Sequence, residues 1–245
     1  MPGGNDVTVR AVKEWEDDRS ANFDIGSEGV APGPEKGEQV AVGEFKFDYD
    51  FEIPGGWFQF LDPESPTGGM RFDSAWYNLQ SDKGSVFDRA RPGIAYTKSD
   101  AAVGAIADHI DEARSNPGAS LPAESDKVLH GATAGDPLHR LAGAKGEAQR
   151  ARANDNRRIS TNFCRTVAMP PKPPTGGPYD CDEYAFASTY EGAARFLYDG
   201  AQHERDYSVR WVNSTVNQEA GRRLGRWHEN DRILDREAFF VPIRS

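Results

Sequence analysis

Residues 169–178 read Met-Pro-Pro-Lys-Pro-Pro-Thr-Gly-Gly-Pro, and no other stretch of the chain restricts its fold so sharply. Proline lacks an amide donor, fixes its own φ and pushes the residue before it into extended geometry. A run with five prolines in ten positions can therefore be neither a helix nor a central strand. It is an extended lead-in, and the pattern after it resolves into a strand over 184–188, a loop or short helix through 192–200, a strand over 207–212, a helix over 217–227 and a last strand over 238–243. The order is β, connector, β, α, β.

The text before the proline run has a different period. Residues 7–12 alternate, and Phe45 to Ile53 alternates aromatic with charged residues, which predicts strands with one buried and one wet face. Gly and Pro clusters at 26–37, 54–56 and 66–69 punctuate them as turns. A helix is predicted over Ala101–Arg114, with Val103, Ile106, Ala107 and Ile110 on one stripe and Asn116-Pro117-Gly118 as its stop. Residues 117–156 hold few large apolar side chains and predict a long loop or loosely packed helices. The expected fold class is α+β: an antiparallel β-rich domain over 1–144, with one helix and a loop-rich linker, followed by a small second domain over 145–245.

Composition supports a water-soluble globular chain, with 37% apolar residues and 11% aromatics. The longest apolar runs fall far short of the roughly 20 residues of a membrane helix. The first residues show neither the basic nor the apolar region of a secretory signal, so export is expected by another route or after removal of a signal. The two cysteines, Cys164 and Cys181, flank the Pro/Gly-rich loop, and spacing leaves a disulfide and two free thiols equally open.

The net charge of −10 argues against a polyanionic partner, but it is unevenly spread. Residues 1–144 carry 13 Lys and Arg against 25 Asp and Glu, whereas 145–245 carry 16 against 14. In the second half the bases are nearly all Arg, including Arg222, Arg223 and Arg226 on one short segment, whose forked guanidinium groups match phosphate oxygens. A solvated helix face with Glu219 paired to Arg222 and Arg223 at i,i+3 and i,i+4 is the competing reading.

Asp182 and Glu183 fall at the start of the first strand after the proline run, where successive side chains point to opposite faces, so the two carboxylates cannot share one task. Asn217 stands where the helix should open and reads either as an N-cap or as an oxygen ligand. The five histidines, 109, 130, 139, 203 and 228, show no close-spaced zinc pattern, and no cysteine pair stands at finger spacing. Ser160 and Cys164 lack a nucleophile context, while Trp211 and Trp227 read as packing residues.

The string Tyr179-Asp-Cys-Asp-Glu-Tyr-Ala-Phe-Ala-Ser-Thr-Tyr-Glu-Gly192, then Val209-Arg-Trp-Val, Asn217-Gln-Glu-Ala-Gly221 and Arg232-Ile-Leu-Asp-Arg-Glu-Ala-Phe-Phe-Val241, resembles the NucA/NucB-type secreted bacterial deoxyribonucleases over residues 160–244. These are small ββα-metal nucleases. The resemblance implies a largely sequence-nonspecific DNA endonuclease in which Asp182 is the carboxylate general base, Glu183 its neighbour and Asn217 the residue opening the metal-binding helix. It implies further that Asn217 and Glu191 serve a Mg²⁺ or Mn²⁺ ion, and that the partner is DNA with no membrane involved. The chemistry suits those parts, because hydrolysing a phosphodiester with one metal ion takes a base for water, a hard cation on the phosphate and cationic groups for the backbone.

Three positions depart from the family pattern: Ala185 stands where Pro is usual, Val216 where an acidic residue often precedes the key Asn, and Glu219 where a small residue is usual. An inactive nuclease-fold binding module and a nuclease toxin delivered to rival cells are the alternative expectations. The first half resembles, more faintly, the extensions of actinobacterial members through Arg71-Phe-Asp-Ser-Ala, Gly84-Ser-Val-Phe and the helix at 101–114, without cysteines near Phe72 and Ser85. Its acidity predicts a module that docks a partner protein or covers the cationic groove.

Overall fold

The structure is a computed structural model that describes residues 8, 10–26, 37–48, 65–166 and 177–245. The alternation expected over 45–53 and the proline run at 169–178 lie mostly outside the described residues. The mixed α+β class is borne out. Strands β1 (Val40–Phe45), β2 (Gly68–Asp73) and β3 (Gly84–Phe87) form an antiparallel sheet in that order. The strand expected over 7–12 is not formed at its end: Val12 starts helix α1 (Val12–Asp17), because the Glu14 carboxylate reaches back to accept from Ala11 N at 2.7 Å and caps it.

Two short strands tie the middle of the chain to its end. β4 (Tyr96–Thr97) runs parallel to β9 (Ile243–Arg244), and β5 (Leu138–His139) pairs antiparallel with β8 (Ala238–Phe239). The single strand expected over 238–243 is thus two strands that join different partners. Helix α2 (Gly104–Ser115) follows β4 and stops at Asn116-Pro117, as its sequence dictates.

Helix α3 (Glu147–Thr166) is a 20-residue helix where loop or loose helix was expected up to 156. Its buried positions are Arg152, Ala153, Asn156, Ser160 and Cys164, small or polar rather than large and apolar, so hydrophobic periodicity could not reveal it. Asn156, fully buried, acts as a clamp: its amide nitrogen donates to the carbonyls of Ala187 and Thr189, and its amide oxygen accepts from Ala194 N at 2.8 Å. A side chain on Gly192 would collide with that amide.

Strands β6 (Tyr179–Tyr184) and β7 (Ser208–Asn213) form an antiparallel hairpin, with a long connection holding helix α4 (Arg195–Asp199). Helix α5 (Ser214–Asn230) leaves β7 directly. The first strand therefore lies five residues earlier than expected, which puts Asp182 and Glu183 inside the hairpin, and the helix starts three residues earlier. The cap is Asn213, whose Oδ1 accepts from Thr215 N at 2.9 Å. β6, β7 and α5 make a ββα unit.

The main core joins Ile94, Tyr96, Val103, Ile106 and Ile110 to Tyr184, Val212, Leu224, Ile233, Phe239 and Val241. Both sides of residue 145 contribute, so the boundary expected there falls inside one hydrophobic cluster. The β1–β3 sheet meets the rest largely through charge. Arg232 donates to Asp73 through Nε (3.1 Å) and Nη2 (2.6 Å), Arg71 Nη1 lies 2.5 Å from Glu237, and Asn78 Nδ2 donates to Glu229 O at 2.9 Å. These bonds hold a turn in which Arg232 (φ 46°) and Arg236 (φ 68°) adopt the left-handed conformation that non-glycine residues avoid.

Candidate active site

Strand alternation sends Asp182 and Tyr184 to one face of the hairpin, and Cys181 and Glu183 to the other. On the first face α2 lies over Asp182. His109, 1% exposed and on the same stripe as Ile106 and Ile110, puts Nδ1 2.5 Å from Asp182 Oδ2. Its Nε2 lies 2.9 Å from Ser208 Oγ, on the neighbouring strand. A neutral ring protonated at Nδ1 satisfies both bonds: Nδ1–H donates to the carboxylate, and the Ser208 hydroxyl donates to Nε2. The Asp182 side chain is 8% exposed, and its Oδ1 has no hydrogen bond to any described residue.

Two further groups frame Asp182. Tyr96 donates through its hydroxyl to Ala220 O on α5 at 3.0 Å; burial, then the negative charge of Asp182, pushes its phenol far above the ordinary range, so it stays a neutral donor. Arg210, opposite Asp182 in the β6–β7 register, turns instead to Glu112 on α2. The pair links β7 to the helix that carries His109.

Glu183 lies under α3. Ser160 Oγ donates to its Oε2, and burial drives its carboxyl up to about 7 against the pull of that hydrogen bond, with the Asp182 charge adding to the rise. On the same face Cys164 and Cys181 form a disulfide, with Cα atoms 6.1 Å apart, that bolts α3 to β6 one residue from Asp182. The two carboxylates thus sit in separate environments on opposite sides of the hairpin.

Asn217 stands in the second turn of α5, on the stripe that continues through Ala220, Leu224 and His228, and is partly buried. Because Asn213 takes the capping role, the amide of Asn217 is left without a hydrogen bond to the described residues. Glu191 is placed differently. Its Oε2 accepts from His139 N at 2.9 Å and its Oε1 faces His139 Nδ1 at 2.7 Å, so both oxygens brace the loop to β5.

The arginines of α5 are largely neutralised. Arg222 pairs with Glu219, and Arg223 donates to Glu219 at 2.8 Å and to Asp100 at 2.6 Å; Arg226 is exposed and forms no ion pair with a described residue. Among the described residues no group of three or more His, Cys, Asp or Glu side chains is arranged to hold a metal ion, and no helix is long and apolar enough to cross a membrane. The free amide oxygen of Asn217 is a hard donor of the kind that suits a hydrated divalent cation.

Residues 131–241, which span β5 to the end of the core and include Asp182, Ser208 and Asn217, match the family model described as Deoxyribonuclease NucA/NucB. This region belongs to that family. The matched region is accordingly that of a deoxyribonuclease, a hydrolase that acts on DNA. Comparisons with curated proteins and with solved structures return no match.

The NucA/NucB match begins past α2, so His109 comes from outside it. Sequence reasoning missed His109 and Ser208. The only available signal was a histidine on an otherwise apolar stripe, Ile106, Ala107 and Ile110, where a polar side chain needs a buried partner.

Proposed function

We propose that the protein is a divalent-metal-dependent DNA endonuclease with little sequence preference, in which Asp182 is the general base. The observation that carries this reading is the state of that carboxylate: one oxygen is fixed by His109, the other has no hydrogen-bond partner among the described residues, and the side chain keeps 8% exposure. A base must be oriented yet leave one lone pair for the water it deprotonates. Asp182 Oδ1 takes the proton of the attacking water, and His109 stabilises the carboxylate from behind.

Asn217 is the residue that would hold a Mg²⁺ or Mn²⁺ ion, through its uncommitted amide oxygen, with the remaining positions left to water and phosphate. Bound there, the ion supplies positive charge on the scissile phosphate and acidifies its water. Glu191 supports the site by bracing the loop against β5. Arg226 is the helix cation open to phosphate, whereas Arg222 and Arg223 reach DNA only by exchanging Glu219 and Asp100 for it. Contacts to backbone phosphate carry no sequence information, hence the weak specificity.

The catalytic unit in this reading starts near residue 92 rather than 145, since β4 and α2 complete the core and hold Asp182. NucA/NucB proteins are typically secreted, and export is proposed here too. The test is nicking of supercoiled plasmid by the purified chain with Mg²⁺ or Mn²⁺, against EDTA and Asp182→Ala. Cutting that needs the metal and drops by at least about 100-fold in the variant is expected. Intact plasmid with every metal, together with retained DNA binding, would make the chain a nuclease-fold binding module.

A further inference from the structure

We propose that His109, backed by Ser208, is a positioning residue for the Asp182 base, so that catalysis by the family-matched region depends on a helix that precedes it. This rests on Asp182 being the base. The three groups form one buried series: Ser208 Oγ, 2.9 Å to His109 Nε2, then His109 Nδ1, 2.5 Å to Asp182 Oδ2. The connectivity is that of a nucleophilic Ser-His-Asp triad, but the exposure runs the other way. Ser208 and His109 are each 1% exposed and Asp182 6%, so the end that can meet a substrate is the carboxylate and not the hydroxyl. Ser208 is the anchor of the series.

Each link restricts the next. Ser208 sits in the β6–β7 hairpin, opposite Tyr184 in register and therefore on the same face as Asp182. Its Oγ against Nε2 fixes the ring orientation, and with the Ser208 hydroxyl as donor the ring carries its proton on Nδ1. That proton bonds the carboxylate through Oδ2 alone, which leaves Oδ1 as the lone-pair donor. Arg210 pairs with Glu112 on α2 and adds no bond to Asp182. Without His109, Asp182 would be a mostly buried carboxylate with no donor from α2 to fix its rotamer, free to turn Oδ1 away from the reacting water.

His109 touches neither DNA nor any group assigned to hold a cation, so its loss should act on turnover and leave DNA affinity alone. A hydrogen bond to a charged group is worth roughly 10- to 150-fold. His109→Gln removes the Nδ1 donor, and kcat is expected to fall within that range with KM unchanged. His109→Asn places an amide N–H where Nδ1 stood, and is expected to recover most of the loss. Ser208→Ala keeps the volume of the site and should lower kcat roughly two- to tenfold, the worth of a neutral hydrogen bond.

The experiment is steady-state plasmid cleavage by the full chain and these three variants, with Asp182→Ala in parallel and thermal unfolding of each. Folded His109→Gln and Ser208→Ala proteins with unchanged kcat, beside an inactive Asp182→Ala, would overturn the positioning role and leave the base assignment standing. Active Asp182→Ala would overturn both. If His109→Gln does not fold, Ser208→Ala decides alone: a fall in kcat at constant KM supports the proposal, and no change rejects it.

Discussion

Under α3, the Glu183 carboxyl sits against Ser160 with its ionised form penalised by burial, which lifts it to about 7 from an ordinary value of 4.5. The folded state then holds this proton more tightly than the unfolded one. Glu183 therefore contributes stability fully below about pH 4.5, and that contribution is lost as pH rises through about 7. Glu183→Gln keeps an acceptor for Ser160 and removes the titration. The variant is expected to match the parent in Tm at pH 4.5 and exceed it at pH 8; a difference in Tm that does not vary with pH would refute the raised titration of this carboxyl. Alternation of side chains made the divergence of Asp182 and Glu183 legible in the sequence. Which of them faced α2 and which α3 was not, because the partners lie 73 and 23 positions away.

At the scale of elements, α3 and α5 show why periodicity succeeds or fails. α5 carries a visible apolar stripe, Val216, Ala220, Leu224 and Trp227, yet its start lies earlier than expected because Asn213 and Asn217 are both good caps and only the end of β7 chooses between them. α3 has no such stripe and packs through small and polar groups, with a disulfide as its fixed point on β6. That cross-link closes a loop with a sequence separation of 17, which includes the proline run. Cys164→Ser with Cys181→Ser is expected to lose about 3 kcal/mol in denaturant unfolding, through the freedom returned to the unfolded chain. An unaffected midpoint would show that α3 is held by the Asn156 clamp and Ser160 alone.

For the whole molecule, the expectation of two separable halves meets a single core. Residues 94–113 supply Ile94, Tyr96, Val103, Ile106 and Ile110 to the cluster that also buries Tyr184, Leu224 and Phe239, and β4 pairs with β9 at the far end of the chain. Removing residues 1–144 would strip that cluster of one side and leave Asp182 without His109. The fragment is expected to lose cooperative thermal unfolding, followed by circular dichroism, and to lose plasmid cutting with it. A cooperatively folding fragment that cuts faster than the full chain would instead assign the first half a covering role. Part of the acidity of that half is internal, since Asp73 is fully buried against Arg232.

By itself the sequence determined the α+β class, the hairpin followed by a helix, the opposed carboxylates and the likeness to DNA-cutting enzymes, all of which rest on local period and on residues close in the chain. Tertiary structure decided which asparagine caps α5, that Glu191 braces a loop, that Glu219 and Asp100 neutralise Arg222 and Arg223, and that a histidine from α2 holds Asp182. These outcomes follow from pairings between distant segments. Burial makes an unpartnered polar group costly, and only the folded chain settles which partner is within reach.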